Sequence, residues 1–507
     1  MKALWSRQSH SVASSRLGTA MGLWLVTVVP SGAGVKLFGQ ASDRLPTSAP
    51  VAEAGEWSPV FAWPTNAWYM AVLPSGKVFS GGAECHGFDL ALWDPGTGES
   101  VIYPHPGEDL AIPGVAHDAD GNLLIAGGAK DCDWMGITGA YRLNHADGTL
   151  AGIADMGHAR FLPSLVTLPD GRLLVAGGVD ERGEPVENPE LWDGRTWSEV
   201  GAPNAEVVYM PYLFVAPDGR VFRGGDEATT DWLDLATLTW SHAAPERRNR
   251  RRGYAAYAPY GAGKILATGG CDDPDDLLRC PSANATASAE VIDLTAPSPG
   301  WREVPGMAHP RRMHHATTLP DGTVLITGGT SVGTLFDTLD GAVYPAELWD
   351  PATETFSLLA SIAEHRAKHS SAVLLVDGRV LIAGGEYDRP EGRVSLNSAE
   401  IFSPPYLFRG PRPIIGTAPG RVSYGESFFV GTSASAAIRD VNLVRLGAEA
   451  FSWNTGQQFQ RLTFRETASG LTVTAPANAN LAPPGYYILF ILDEDGVPSV
   501  GSVIQIL

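Results

Sequence analysis

This 507-residue chain is poor in charge, above all positive charge. Charged residues make up 18% of it, and 36 basic residues face 56 acidic ones, a formal net charge of −20. So acidic a chain excludes nucleic acid or an anionic membrane as its main partner. Long apolar runs are also missing. Residues 21–29 form one, too short for an ordinary membrane span, and no other segment is long and apolar enough to cross a bilayer, so no stable span is expected. Cysteine is scarce: Cys85, Cys132, Cys271 and Cys280 are the whole supply.

Glycine and proline, by contrast, number 58 and 38, which suits an all-β protein dense in turns. Seven Gly-Gly pairs begin at Gly81, Gly127, Gly177, Gly224, Gly269, Gly328 and Gly384, with intervals of 46, 50, 47, 45, 59 and 56 residues. That is the period of a kelch-type four-stranded blade, and seven such units predict a closed seven-bladed β-propeller over residues 55–408. Each unit repeats a template. An apolar strand leads to a Pro-Asp-Gly-like turn, as at Pro169-Asp170-Gly171, and a second strand ends in Gly-Gly, as at Gly177-Gly178. After a loop comes an aromatic strand such as Glu190-Leu191-Trp192-Asp193, then a short outer strand holding Trp197. Proline and glycine set the turn dihedrals, paired glycine lets backbones approach, and each blade buries its aromatics against the next. These Trp and Gly residues therefore build the ring.

The two ends read differently. Residues 1–35 carry Lys2, Arg7 and Arg16 ahead of the apolar run and then the small residues Ser31, Gly32 and Ala33, the pattern of a secretory signal peptide, with an uncleaved anchor as the other reading. The protein is expected to be secreted and monomeric. In an exported chain an even number of cysteines suggests disulfides. Cys85 and Cys132 follow the Gly-Gly pairs of blades one and two at similar offsets, which makes them one candidate pair. Cys271 and Cys280 bracket the acidic loop Asp272-Asp273-Pro274-Asp275-Asp276 and make another; free buried thiols are the alternative. From residue 412 the glycine period stops, and short alternating runs at 427–430, 441–445, 470–475, 486–492 and 501–507 predict an immunoglobulin-like β-sandwich over 412–507, packed on one face of the propeller.

Residues just ahead of each inner strand gather around the propeller axis. They include Leu110-Ala111-Ile112-Pro113, Arg160-Phe161-Leu162-Pro163, the basic run Arg247 to Arg252, Arg311-Arg312-Met313-His314-His315 and His365-Arg366-Ala367-Lys368-His369. Cations collected at one mouth of an acidic protein point to an anionic or polyhydroxylated ligand.

Together these features resemble the galactose oxidase and glyoxal oxidase family of copper radical enzymes. The resemblance rests on Phe402-Ser403-Pro404-Pro405-Tyr406-Leu407-Phe408 followed by Arg412-Pro413, and on Pro484-Gly485-Tyr486-Tyr487-Ile488-Leu489-Phe490 followed by Gly496-Val497-Pro498-Ser499. It rests also on Asn454-Thr455 with Gln457 and Arg461 downstream. The resemblance implies a C-terminal early-set domain and a copper held by two tyrosines and two histidines, one tyrosine being thioether-linked to a cysteine. Carried onto this chain, the cysteine falls at Ile112, the radical tyrosine at Leu162, the axial tyrosine at Lys368, the first histidine at His369 and the second histidine at Phe451. No Tyr or Cys lies within two positions of Ile112, Leu162 or Lys368.

Imidazole and phenolate hold such a copper, and only a phenol stores the oxidising equivalent. With His369 alone surviving, the expectation is a relative without copper radical catalysis and with no cofactor. It would bind a carbohydrate, another small molecule or a surface ligand at the former active face through Arg252, Arg311, His314, Lys368 and His369. Arg252 matches the position of an arginine that in the family contacts substrate hydroxyls. Lys368, partly desolvated beside Leu162 and Phe451, is the candidate base or imine-forming nucleophile. The alternatives are an oxidase of alcohols or aldehydes that releases hydrogen peroxide through a rearranged metal site, copper at His369 or a two-histidine site of His314 and His369, and a propeller used for protein interaction.

Overall fold

The computed structural model of the protein describes residues 49–84, 87–104, 110–130, 135–201, 210–225, 228–243, 252–271, 285–332, 339–389 and 392–507. Two local devices shape each repeat. The first is the hairpin turn. At Pro169-Asp170-Gly171 the Gly171 N–H donates to Leu168 O (3.0 Å), the Asp170 carboxylate accepts the Arg172 N–H (3.1 Å), and Gly171 takes φ +86°, which favours glycine. The second is the Gly-Gly pair, which clips one blade to the next. Gly329 N–H donates to Arg366 O of the following blade at 2.6 Å, and a Cβ on Gly328 (φ +67°) would lie 2.0 Å from that same oxygen. Gly270 donates to Arg311 O at 2.8 Å and Gly128 to Arg160 O at 2.9 Å in the same way.

Blade one consists of Tyr69–Val72, Val78–Glu84, Gly87–Trp93 and Ser100–Tyr103. Blades two to six follow with the same antiparallel order, their inner strands being Gly114–His117, Ser164–Thr167, Tyr212–Val215, Ala256–Gly261 and Arg312–Thr318. Blade seven takes Ser370–Leu374, Val380–Gly384 and Ser398–Ser403 from the end of the propeller. Its outer edge comes from the beginning, where Glu56–Trp57 and Phe61–Ala62 pair with Ser398–Ser403. Its inner strand packs on that of blade one, so the ring closes. Inner strands are buried on both faces, and blades stack through layers such as Val166, Leu174 and Leu191 of blade three against Leu213, Val221 and Leu233 of blade four.

The C-terminal domain sets a five-stranded sheet (Arg421–Val422, Ser502–Ile506, Gly485–Asp493, Ile438–Arg445, Phe459–Leu462) against a three-stranded one (Ser427–Gly431, Gly470–Thr474, Phe464–Thr467). Their shared core includes Val430, Leu443, Leu471 and Ile491. The linker is fixed as its aromatics suggest: Tyr406 is buried and donates its hydroxyl to Gly378 O, while Arg412 donates to Asp377 O (2.7 Å) and Pro498 O (2.8 Å).

The domain does more than pack on one face. A hairpin, Ala448–Ala450 and Trp453–Asn454, runs inside the ring and adds two strands to the inner edge of blade one, with Tyr69 opposite Ala450 and Met70 opposite Glu449. Its neighbours lie in several blades. Thr455 Oγ1 donates to Val115 O, Trp453 meets Tyr212 and Phe214 edge-on at 4.8 and 4.9 Å, and Gln457 Oε1 accepts the Thr318 N–H at 3.0 Å.

The signal segment 1–35, Cys85, Cys132, Cys280, the acidic loop 272–276 and the arginines 247–251 lie outside the described residues. Cys271 is disulfide-bonded. Among the described residues no helix is long and apolar enough to cross a membrane.

Candidate functional site

One backbone feature recurs around the ring. Ala67, Ile112, Leu162, Met210, Tyr254, Met313 and His369, one in each blade, all have φ between +35° and +60°. The first five stand two residues ahead of their inner strands, His369 stands immediately ahead, and Met313 lies just inside. A left-handed non-glycine residue costs roughly 1–2 kcal/mol, and a β-branched one such as Ile112 is exceptional there. The central hairpin repeats the conformation at its tip, where Phe451 (φ +53°) and Ser452 (φ +70°) form a two-residue turn with both residues left-handed. Such turns favour Asn-Gly, so Phe451 is held there by its surroundings.

These residues converge. Ile112, Leu162, Met210 and Phe451 belong to one buried cluster with Trp68 and Phe161. The Phe451 ring lies 5.6 Å from that of His369 and 5.4 Å from that of Tyr254. Trp68 stacks on His369 at 3.7 Å with 20° between the planes. Phe451 and His369 thus lie against each other, and Ile112 and Leu162 share the buried cluster to which Phe451 belongs. The structure adds Trp68, Met210 and Tyr254, which sequence reasoning missed. The signal for Tyr254 was present: Arg252-Gly253-Tyr254 has the spacing of Arg160-Phe161-Leu162 and Arg311-Arg312-Met313.

His369 is the polar centre. Its Nδ1 lies 2.9 Å from Glu386 Oε2, an ion-pair distance without good hydrogen-bond alignment, and Arg393 reaches the same oxygen at 3.5 Å. Burial pulls its pKa down to about 4; Glu386 pulls it up, and Lys368 and Arg393 push it further down. Burial pushes the Glu386 carboxyl up, but His369, Lys368 and Arg393 together hold it below the usual range. Near neutral pH the imidazole is therefore uncharged beside a carboxylate, and its Nε2 is buried without a hydrogen-bond partner. Lys368, 8% exposed, acts electrostatically on both groups.

Among the described residues, two of the expected cations, Arg252 and Arg311, turn their side chains into the walls. Arg311 and Arg252 are fully buried in the blade walls. Arg311 donates to Gly328 O (2.8 Å) of its own blade and to Glu347 (2.9 Å) on the third strand; Arg252 donates to Gly269 O (2.7 Å) and Glu290 (2.8 Å). Arg160 with Glu190 and Arg366 with Glu400 repeat the pattern. Each of these arginines holds its own blade through its side chain, and the main-chain oxygens of Arg160, Arg311 and Arg366 accept from the preceding blade. His314 is likewise a wall residue. It is fully buried, its Nε2 lies 2.9 Å from Thr268 Oγ1, and burial, then Arg311, His315 and Arg252, put its pKa well below the ordinary value.

The donor set at the mouth does not fit a copper ion. Ile112, Leu162 and Phe451 are hydrocarbons, Lys368 is an amine, and His369 and Tyr254 bring one imidazole and one phenol on either end of the Phe451 contacts, short of the several nitrogen, oxygen or sulfur donors that copper takes. Among the described residues no group of three or more His, Cys, Asp or Glu is placed to hold a metal.

Comparison with known proteins agrees with this architecture. Residues 112–406 match the family described as glyoxal oxidase N-terminus, and residues 412–506 the galactose oxidase-like early set domain. A galactose oxidase of Gibberella zeae is 30% identical over 90% of this chain and 72% of its own. The aldehyde oxidase GLOX of Vitis pseudoreticulata is 27% identical over 76% of this chain and 80% of its own. A solved fungal alcohol oxidase of the AA5 family, in complex with copper, superposes with a TM-score of 0.79 at 22% identity, covering 90% of this chain and all of that one.

Proposed function

This chain belongs to the glyoxal oxidase and galactose oxidase-like family, and from that premise we propose that it is an exported member that binds a ligand at the former active face without copper radical catalysis. The observation that carries the reading is the mouth itself, where His369 alone remains of the donors the family motifs would place there. With Arg252 and Arg311 engaged in the walls, recognition falls to the faces of Trp68, Tyr254 and Phe451 and to the polar heads of Lys368 and His369. Aromatic faces with one or two polar groups suit a carbohydrate ring or another small molecule with an apolar face.

A second reading keeps an oxidoreductase acting on alcohols or aldehydes through a rearranged metal site. It is favoured by one observation, that the Tyr254 phenol ring and the His369 imidazole both lie against Phe451. Metal content separates the two. Protein secreted with copper present and dialysed against a mild chelator should hold almost none by mass spectrometry, and glycan and small-molecule screening should then find ligands lost on Tyr254→Ala. One copper per chain, removed by His369→Ala, with peroxide formed from alcohols or aldehydes, would overturn the first reading in favour of the second.

A further inference from the structure

Below the mouth lies a buried polar chain drawn from three parts of the fold. His315 is on the inner strand of blade six, Ser370 begins the inner strand of blade seven, and Glu449 is on the central hairpin. None is more than 2% exposed. Ser370 Oγ donates to Ala367 O at 2.6 Å, so its lone pairs are left to accept, and His315 Nε2 lies 2.8 Å from it. On the other side of the ring His315 Nδ1 makes a short contact with Glu449 Oε1, while Glu449 Oε2 accepts the Ala372 N–H at 3.2 Å.

Serine, histidine and glutamate in this order invite comparison with a hydrolase triad, but the geometry excludes that chemistry. An activated serine gives its proton to the imidazole. Here the hydroxyl proton is directed at a main-chain oxygen, the imidazole must present N–H to Oγ, and no atom of the chain is open to a substrate. The connections point elsewhere. Ala367, which accepts from Ser370, begins the segment Ala367-Lys368-His369. Glu449 stands two residues before Phe451. The chain therefore joins the loop that carries Lys368 and His369 to the hairpin that carries Phe451, through a residue of a third element.

We propose that Ser370, His315 and Glu449 are positioning residues that act as one unit, fixing the Phe451 hairpin and the Lys368–His369 loop relative to each other and so setting the shape of the mouth. The proposal concerns the site read above as a ligand site, but its test uses no ligand and so can fail independently of that reading. A buried hydrogen bond to a carboxylate loses much of its strength when an amide replaces the carboxylate. Left-handed residues at both ends of the unit, His369 and Phe451, persist only while their surroundings over-determine them.

The experiment is hydrogen exchange by mass spectrometry on the full chain, comparing Glu449→Gln, Ser370→Ala, the double variant and Glu290→Gln. The last cuts an ion pair of equal burial in the wall of blade five and serves as the control for general destabilisation. Glu449→Gln is expected to speed exchange of residues 448–454 and 367–372 together, by about ten- to a hundred-fold. Ser370→Ala should do the same, the double variant should add little, and near-ultraviolet circular dichroism of the Trp68–His369 stack should change. Glu290→Gln should lower the melting temperature and leave both segments protected. Should only one of the two segments respond, should the effects of the single variants simply add, or should Glu290→Gln loosen the same segments, the unit does not exist. If Glu449→Gln fails to fold, Ser370→Ala alone decides, because it removes one oxygen and no charge.

Discussion

Arg311 offers the most direct test of whether the arginines ahead of the inner strands hold ligand or hold blades. Replacing it with methionine preserves most of its volume and deletes the charge. The structure then leaves Glu347, which is fully buried, with only the N–H groups of Ala308 (2.6 Å) and His309 (3.2 Å), and strips a donor from Gly328 O and Pro345 O. Breaking a buried pair by removing one partner costs about 3–5 kcal/mol. Unfolding entropy near 2.1 cal/mol/K per residue gives roughly 1 kcal/mol per degree for a unit of roughly 460 residues, so Arg311→Met should melt about 3–5 °C below the parent. Because a protein this large can unfold irreversibly, calorimetric scans should be run at matched rates. Adding Glu347→Leu removes the stranded carboxylate, and the double variant should recover more than half of the loss. A melting point within about half a degree of the parent, with ligand binding lost, would refute the assignment to the wall and return Arg311 to the mouth.

The Gly-Gly clip predicts a steep contrast between two glycines of similar φ. Gly328→Ala puts a methyl 2.0 Å from Arg366 O and should abolish folded secretion, whereas Gly98→Ala, with φ +75° and nothing within 4 Å, should lower the unfolding free energy measured in urea by only the left-handed cost of about 1 kcal/mol. Acid sensitivity follows from His369 and from His117, whose pKa burial, then Arg445, pulls down to about 3. Between pH 6.5 and 4 the unfolded chain takes up a proton at His369 that the folded chain refuses, so stability falls on acidification; above pH 6.5 neither state binds it and the effect vanishes. The pKa difference corresponds to about 3 kcal/mol, so the urea midpoint of His369→Gln should fall less steeply over this window than that of the parent, and parallel profiles would show that His369 is protonated in the folded state.

The fold was legible because its signals are periodic and local. Gly-Gly recurs once per blade for a steric reason, and Pro-Asp-Gly marks the turn that precedes it. Alternating runs such as Ser427–Gly431 likewise announce the sandwich. Partner choice at long range was not legible. Arg252 and Arg311 look alike whether they face solvent or a carboxylate, and the deciding glutamates, Glu290 and Glu347, lie 38 and 36 residues downstream in the third strand. The burial of Glu449 inside the ring was hidden for the same reason: the resemblance carries Phe451 to the propeller's site, but nothing in Ala448-Glu449-Ala450 itself says what Glu449 would meet there. Tyr254 was legible and overlooked, since its offset from Arg252 is that of Leu162 from Arg160.

The seven left-handed residues carry the argument beyond any one of them. Ala, Ile, Leu, Met, Tyr, Met and His share no chemistry, yet each occupies the same conformation at the entry to its blade. The conformation must therefore come from the scaffold. In blades three, five and six the wall arginine stands two residues earlier, fixed by its glutamate and by a Gly-Gly carbonyl, and the inner strand begins at most two residues later. Between those anchors the chain is driven into a turn whatever side chain it bears. A propeller built this way presents a ring of positions aimed at one place, and their contents can change without loss of the ring. In this one Ile112, Leu162 and Phe451 are hydrocarbon, and His369 is an imidazole whose Nε2 lacks a hydrogen-bond partner. A buried nitrogen without a partner is costly to keep, and a ligand that supplied a hydrogen-bond donor there would relieve that cost. Ligands found by screening should therefore weaken on His369→Phe, which keeps an aromatic ring for the stack on Trp68 while removing the Nε2 acceptor and the Nδ1 beside Glu386. Equal affinity for the parent and that variant would place recognition on the aromatic faces alone.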